Sequence, residues 1–319
     1  LNVQKQRNVQ HSMMNDVSLK EYAALMVSEP HVFEMDGKLK TSPMGHQGWT
    51  AILPSERHYG RWAIRSMLWV RRDIECEQIE VPSADLTVAL LRLPDRSVLV
   101  ASGYVEGGNA SALSQTVDLL REAIRSAGHR GGPRLDLVIA GDFNRHDQLW
   151  GGDEVLSQRQ GEADPIIDFM GEWSLESLLP RGTKTWQDSR YATTIDLMLV
   201  SQELAASVVK CKIHDTEHGS DHRAIETTFD VDLPERVVEP RLLYKNAPWK
   251  EIRERTARTL QQQRPGSTVQ EQADRLMHAV QDAVHALTPR AKPCPYAKRW
   301  WTQDLTKLRR VYTYWRNRA

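Results

Sequence analysis

Over the first 230 residues, apolar side chains come in short runs separated by Gly, Pro, Asn and Asp, the pattern of buried strands joined by turns. Residues 23–28, 49–54, 66–70, 76–81, 85–93, 97–102, 135–140, 193–201 and 208–213 predict strands, and a final strand predicts closure near Asp230. The turn Pro94-Asp95-Arg96 predicts a hairpin between two of them. Helical spacing is rarer. Met13, Met14, Val17 and Tyr22 give residues 8–25 a rough apolar face. Leu113, Val117, Leu120 and Ile124 recur at intervals of four, three and four, so 111–127 predicts a helix lying on a sheet. Residues 163–173 read as a shorter helix. Many strands with few helices predict an α/β fold, two mixed β-sheets packed face to face with helices outside.

The pattern changes after Phe229. Residues 231–250, with Pro234, Pro240 and Pro248, read as a linker. Residues 249–263 and 269–287 predict helices, the second carrying Val269, Leu276, Val280, Val284 and Leu287 on one stripe. A further helical segment ends near Arg318. The expected organisation is one domain over 1–230, a linker over 231–250 and a helical extension over 251–319.

Composition narrows the class without naming it. The chain has 319 residues, 40% hydrophobic and 26% charged, ordinary for a globular protein. No apolar run is long enough to cross a bilayer and no secretory leader is visible, so no membrane role is expected. Cys76, Cys211 and Cys294 are too scattered for a zinc cluster or a disulfide framework, which predicts a reducing compartment. Leu1 stands directly inside what reads as a strand end, so a longer parent with a truncated first strand is expected.

Charge is uneven although the total is zero. Residues 289–319 carry nine Lys or Arg against Asp304 alone, a net charge of +8, which leaves −8 on residues 1–288. A basic end interleaved with Trp300, Trp301, Tyr312, Tyr314 and Trp315 suits a polyanion whose bases stack on aromatic rings. Lys298, Arg299, Arg309 and Arg310 are the candidate contacts there, with Arg61 in the basic aromatic loop 57–62. The alternative is a solvated helix whose aromatic residues dock elsewhere in a longer chain.

The candidate chemistry sits where predicted strands end. Gly141 closes the apolar run, and Asp142 and Asn144 follow at a spacing of two, pointing to one side if the backbone stays extended. An acid beside a neutral amide suits a phosphate or a metal, although Asp and Asn are also common turn residues. Glu29 is followed by Pro30, which cannot continue a ladder. Tyr104 stands just past a strand. Asp196 interrupts an apolar strand, and a buried carboxylate there demands a partner. Ser220-Asp221-His222 enters the last strand of the domain.

In this order, Ser28-Glu29-Pro30, Gly141-Asp142-Phe143-Asn144, Thr194-Ile195-Asp196 and Ser220-Asp221-His222 resemble the endonuclease/exonuclease/phosphatase superfamily. Within it they resemble the apurinic-type endonuclease domain of non-LTR retrotransposons, over about residues 1–230. The run from Ala291-Lys292-Pro293 to Lys298-Arg299-Trp300-Trp301 resembles the linker to a reverse transcriptase in fungal elements. The resemblance implies a four-layered α/β sandwich and a Mg²⁺-dependent enzyme that nicks DNA to prime reverse transcription, with Mn²⁺ as a substitute ion. It implies that Glu29 and Asp221 hold the metal and that Asn2 orients that site. Asp142 activates the water, while Asn144 and Tyr104 bind the phosphate. His222, oriented by Asp196, meets the developing charge. It further implies DNA and element RNA as partners and a nuclear location. One departure is Gln4, where many relatives carry Asp, and it puts a second metal in doubt. Two other readings fit the same residues: a phosphatase or phosphodiesterase on a small phosphate ester, and an inactive nucleic-acid-binding element fragment.

Overall fold

A computed structural model describes residues 1–46, 48–60, 63–131, 134–234, 242–262, 269–291 and 303–316. The chain forms two compact units, Leu1–Arg236 and Val237–Ala319. The first unit begins with α1 (Arg7–Met14), β1 (Ala24–Ser28), β2 (Val32–Met35), β3 (Lys38–Thr41), β4 (Trp49–Ile52) and β5 (Ser66–Arg71). Next come β6 (Glu75–Ile79), β7 (Leu86–Arg92), β8 (Ser97–Tyr104), α2 (Ala110–Gly128), β9 (Leu135–Asp142), α3 (Gln148–Gly151) and α4 (Asp164–Glu172). It ends with β10 (Leu175–Ser177), β11 (Trp186–Gln187), β12 (Ala192–Thr193), β13 (Asp196–Ser201), α5 (Gln202–Ala205), β14 (Val208–Ile213) and β15 (Ile225–Phe229).

A six-stranded mixed sheet, in the order β10-β13-β9-β8-β7-β6, is the centre of this unit. Its strands alternate side chains between faces, and both faces are covered. One face sets Val88, Leu90, Leu99, Leu137, Ile139, Leu197 and Leu199 against Leu113, Val117, Leu120 and Ile124 of α2 and Ile166 and Phe169 of α4. On the opposite face, Ala89, Leu91, Val98, Val100, Val138 and Met198 meet Ile52, Leu68 and Val70 of a second layer. That layer contains the antiparallel trio β1-β5-β4 and the separate pair β14-β15. Val9, Met13 and Met14 of α1 cover the outer side of the trio at Val27, Met67 and Trp69. The result is the expected four-layered α/β sandwich, with the second layer divided in two rather than one continuous mixed sheet.

Two local expectations are corrected, and one hairpin is new. The helix expected over 8–25 ends at Met14, because Asn15 closes its last turn by donating from Nδ2 to the His11 carbonyl. Asp16 then accepts from the Ser18 amide at 2.7 Å, starting a new turn in place of another helical one. The strand expected over 193–201 is broken in two. Residues 192–193 pair with β11, and the chain then changes partner so that β13 pairs with β9. At the crossing, Thr185 Oγ1 accepts from the Ile195 and Asp196 amides, which no ladder satisfies. The β2–β3 hairpin around Asp36-Gly37 was not expected at all.

The second unit contains α6 (Trp249–Gln262), α7 (Val269–Leu287) and α8 (Gln303–Arg316). Arg309 and Arg310 are exposed on α8. Arg61, Lys298 and Arg299 lie outside the described residues, as do residues 235–241 of the linker. Among the described residues no helix is long and apolar enough to cross a membrane.

Candidate active site

Strand register assembles the site. β8 and β9 are parallel with Tyr104 opposite Asp142, and β13 runs antiparallel to β9 with Asp196 opposite Asp142. Three polar residues therefore stand side by side at one end of the central sheet. Residues 1–2 reach the same end by a parallel bridge from Asn2 to Ser28, and His222 is held by a bridge to Trp186. With Glu29 at the end of β1, the site is made from the ends of six chain segments, each anchored in backbone pairing.

Close approach of strands permits this. Gly103 and Gly141 face each other between β8 and β9, and a Cβ on Gly141 would lie 1.9 Å from the Gly103 carbonyl oxygen. Ser28 Oγ donates to that same carbonyl at 3.1 Å and accepts from the Asp142 amide at 3.3 Å. Ser28 thereby ties β1 of the second layer to the end of β9.

The polar contacts form one continuous set. Asn2 Nδ2 donates to Asp142 Oδ2 at 3.0 Å. His222 Nδ1 donates to Asp196 Oδ2 at 2.9 Å, leaving Nε2 turned toward Asp142 Oδ2 at 3.8 Å. Asp142 Oδ1 accepts from the Asn144 amide at 3.1 Å. Asn144, at φ +47°, donates from Nδ2 to the Val105 carbonyl at 3.0 Å. Asp221 Oδ2 accepts from Trp186 Nε1 at 2.9 Å, whereas Asp221 Oδ1 is buried without a hydrogen-bond partner, 3.8 Å from His222 Nε2. The Arg65 guanidinium lies 4.8 Å over the Tyr104 ring and pairs with Asp85 at 2.6 Å.

Burial decides the electrostatics. Asp142, Asp196 and His222 are only 2%, 5% and 8% exposed. Burial, followed by the facing Asp196 charge, raises the Asp142 carboxyl to about 7 against the opposing pull of His222 and Asn2. Burial pulls the His222 imidazole down, but the hydrogen bond and charge of Asp196, with Asp142 and Asp221 added, carry it above its ordinary value. Burial raises the Tyr104 phenol, and the Glu29 and Asp142 charges raise it further.

The donor set fits a hard divalent cation. Formally, Glu29, Asp142, Asp196 and Asp221 bring four negative charges against Lys5, whose ammonium pairs with Glu29, and protonated His222. Two negative charges are left over, and the orphaned Asp221 oxygen is one place to put a ligand. Ligand atoms of Asp142, Asp196 and His222 also lie within 4.8 Å of one another, so this buried group could hold a metal. Since His222 Nδ1 is engaged with Asp196, the pair is better suited to orienting a proton than to coordination.

All eight residues expected at the site are thus at one end of the central sheet or on the loops beside it. Lys5, Ser28, Arg65, Thr185 and Trp186 were not expected. A lone Lys, Arg or Thr carries no sequence signal of that kind, and Ser28 was visible only as a neighbour of Glu29. Gln4 turns its side-chain carbonyl to Gln6 Nε2 at 2.9 Å, away from a metal role.

Comparison with known proteins finds the same fold elsewhere. Residues 98–226 match the endonuclease-reverse transcriptase family. The fold is similar to the endonuclease domain of TRAS1, a telomere-specific non-LTR retrotransposon, at TM-score 0.58 and 16% identity over 72% of this chain and 96% of that one. It is also similar to the AP endonuclease LMAP from Leishmania major, at TM-score 0.54 and 14% identity over 71% and 85% of the two chains. No curated protein matches the chain by sequence. The fold and the family match make the chain similar to the phosphodiester-hydrolysing enzymes of the endonuclease/exonuclease/phosphatase superfamily. Within that class the sequence match is to the endonuclease-reverse transcriptase family, over less than half of the chain.

Proposed function

We propose that the chain is a Mg²⁺-dependent endonuclease of a non-LTR retrotransposon that nicks one DNA strand and leaves a 3′-hydroxyl to prime reverse transcription. The observation that carries this reading is the alignment of Asp142, Asp196 and His222 on paired strand ends and the adjoining turn, with Asn2 donating to Asp142. Glu29 and Asp221 would hold the metal, which when bound supplies a Lewis acid for the phosphate oxygens. Asp142 takes a proton from the attacking water, a role suited to a carboxyl raised toward neutrality. Asp196 holds Nδ1 of His222, so that Nε2 donates to the oxygens where charge develops. Asn144 and Tyr104 line the same edge and would contact the phosphate. Asn2 fixes the Asp142 carboxylate through one oxygen, while the Asn144 amide holds the other.

DNA as the substrate is supported by the retrotransposon and AP endonucleases whose fold this chain shares. The exposed Arg309 and Arg310 would add contacts along the backbone, and a nuclear location and element RNA belong to the same reading. Assay of supercoiled plasmid beside a soluble phosphomonoester, each with Mg²⁺ or with EDTA, tests it. Relaxed plasmid only with Mg²⁺, and little phosphate release, is expected. Phosphomonoester turnover without nicking would point instead to a small phosphate ester as substrate.

A further inference from the structure

A second cluster of metal-type side chains shares no residue with the Asp142-Asp196-His222 group, although the cavity it lines also reaches Asp196. Asp16 follows α1, while His214 and His218 lie between β14 and the Ser220-Asp221-His222 turn. Their ligand atoms all lie within 4.8 Å of one another. We propose that Asp16, His214 and His218 bind a borderline transition metal, zinc by their chemistry, and that this ion clamps the loop carrying Asp221 and His222 to the turn after α1.

The geometry is that of a site needing little adjustment. Asp16 Oδ2 and His214 Nε2 are 3.4 Å apart. Zinc bonds of about 2.0–2.1 Å to nitrogen and oxygen in a tetrahedron set ligand atoms about 3.3 Å from one another. Each ligand has its other polar atom engaged, which leaves the expected atom to face the ion. His214 Nδ1 donates to Glu226 Oε2 at 2.9 Å, the carboxylate–histidine arrangement that commonly stands behind a metal. Lys210 holds the other Glu226 oxygen at 2.8 Å. His218 Nδ1 is 3.1 Å from Ser12 Oγ. Asp16 Oδ1 accepts from the Ser18 amide, leaving Oδ2 for the ion. The two imidazole rings are nearly parallel, at 15° with centroids 5.7 Å apart.

Access and selectivity follow from the surroundings. Asp16, His214 and His218 line a cavity of about 530 Å³, so an ion and a completing water can enter. Two imidazoles and one carboxylate favour Zn²⁺ or Co²⁺ over Mg²⁺, which prefers all-oxygen ligands. The cluster would therefore fill independently of the carboxylate-rich catalytic centre. Its consequence is positional. Ser220 Oγ already donates to the Asn2 carbonyl at 2.8 Å, and an ion two residues upstream would fix the same loop at a second point.

Co²⁺ titration of the metal-stripped chain, followed by visible absorption, tests the assignment. One equivalent is expected to produce a saturable d–d band that Zn²⁺ displaces. The band should persist in an Asp142→Asn/His222→Ala double variant and vanish in His218→Ala, with far-ultraviolet circular dichroism unchanged. Glu226→Gln should weaken binding by roughly 10–100-fold. In wild type a hundredfold excess of Zn²⁺ over its Kd should raise the thermal midpoint by roughly 5–10 °C. If His218→Ala does not fold, Asp16→Asn and His218→Gln provide the same comparison. The proposal is overturned if no saturable band forms, or if the band survives loss of Asp16 or His218 and disappears with the catalytic pair.

Discussion

Asp142 lies between two demands, since the proposed water-activating role wants an ionised carboxylate and its burial opposite Asp196 disfavours one. Its folded pKa of about 7 stands above the ordinary 3.8, so the stability it contributes is complete below about pH 4 and is lost as pH rises through 7. Denaturant titrations of metal-free protein should show stability declining across that window, and Asp142→Asn should flatten the decline. The same substitution should lower nicking by about 10²–10⁴-fold, the usual reach of general-base catalysis. His222 differs in sign, because its folded pKa is raised and its charged form belongs to low pH. Activity that needs imidazolium should therefore fall on the alkaline side. Asp196→Asn, which removes the largest upward influence, should move that limb of the kcat/KM profile to lower pH. A pH profile unchanged in Asp196→Asn would remove Asp196 from its orienting role. Lys5 makes a third residue-level test. It sits at φ +58°, a left-handed backbone conformation that favours glycine, with its ammonium on Glu29. Lys5→Gly is expected to tighten divalent-ion binding several-fold by calorimetry, since the ion no longer competes with a tethered cation.

At the scale of elements, the site depends on strands ending at the same level. Gly141 is the narrowest point, with room for hydrogen but not for a methyl group beside the Gly103 carbonyl. Gly141→Ala should force β8 and β9 apart and destabilise the protein by about 1–3 kcal/mol, measured by urea denaturation, with nicking lost as well. Much of this layout was legible beforehand. Asp196 in an otherwise apolar strand announced a buried partner, and the partner is His222. The apolar run 135–140 announced β9, although the strand runs on through Gly141 to Asp142. Other features were hidden for physical reasons. Val17 and Tyr22 continue an apolar periodicity past Met14, so the pattern overran the point where Asn15 and Asp16 divert backbone hydrogen bonds to their own side chains. The Asp36-Gly37 turn was a hairpin signal, but the flanking strands are half-exposed and contain Glu34, Lys38 and Lys40, with no strong apolar run. The Asp16–His214 contact joins residues 198 apart in sequence, a separation that local spacing cannot report.

Across the whole molecule, the first unit supplies a complete layered core and the proposed catalytic residues, while the basic charge is concentrated at the other end of the chain. Removing residues 289–319 should leave Mg²⁺-dependent nicking detectable, weaken DNA binding, and reduce its dependence on salt because fewer counterions are released. Fluorescence anisotropy at several salt concentrations would show this as a shallower slope. The central claim concerns the cleft rather than the tail. Its most direct test is single-turnover nicking of supercoiled DNA by wild type and Asp142→Asn at equal DNA occupancy, with Mg²⁺ present. Conversion to open circle by wild type, with a rate at least about 100-fold lower in the variant and binding unchanged, is expected. Equal rates in the two proteins would contradict a catalytic centre built around Asp142.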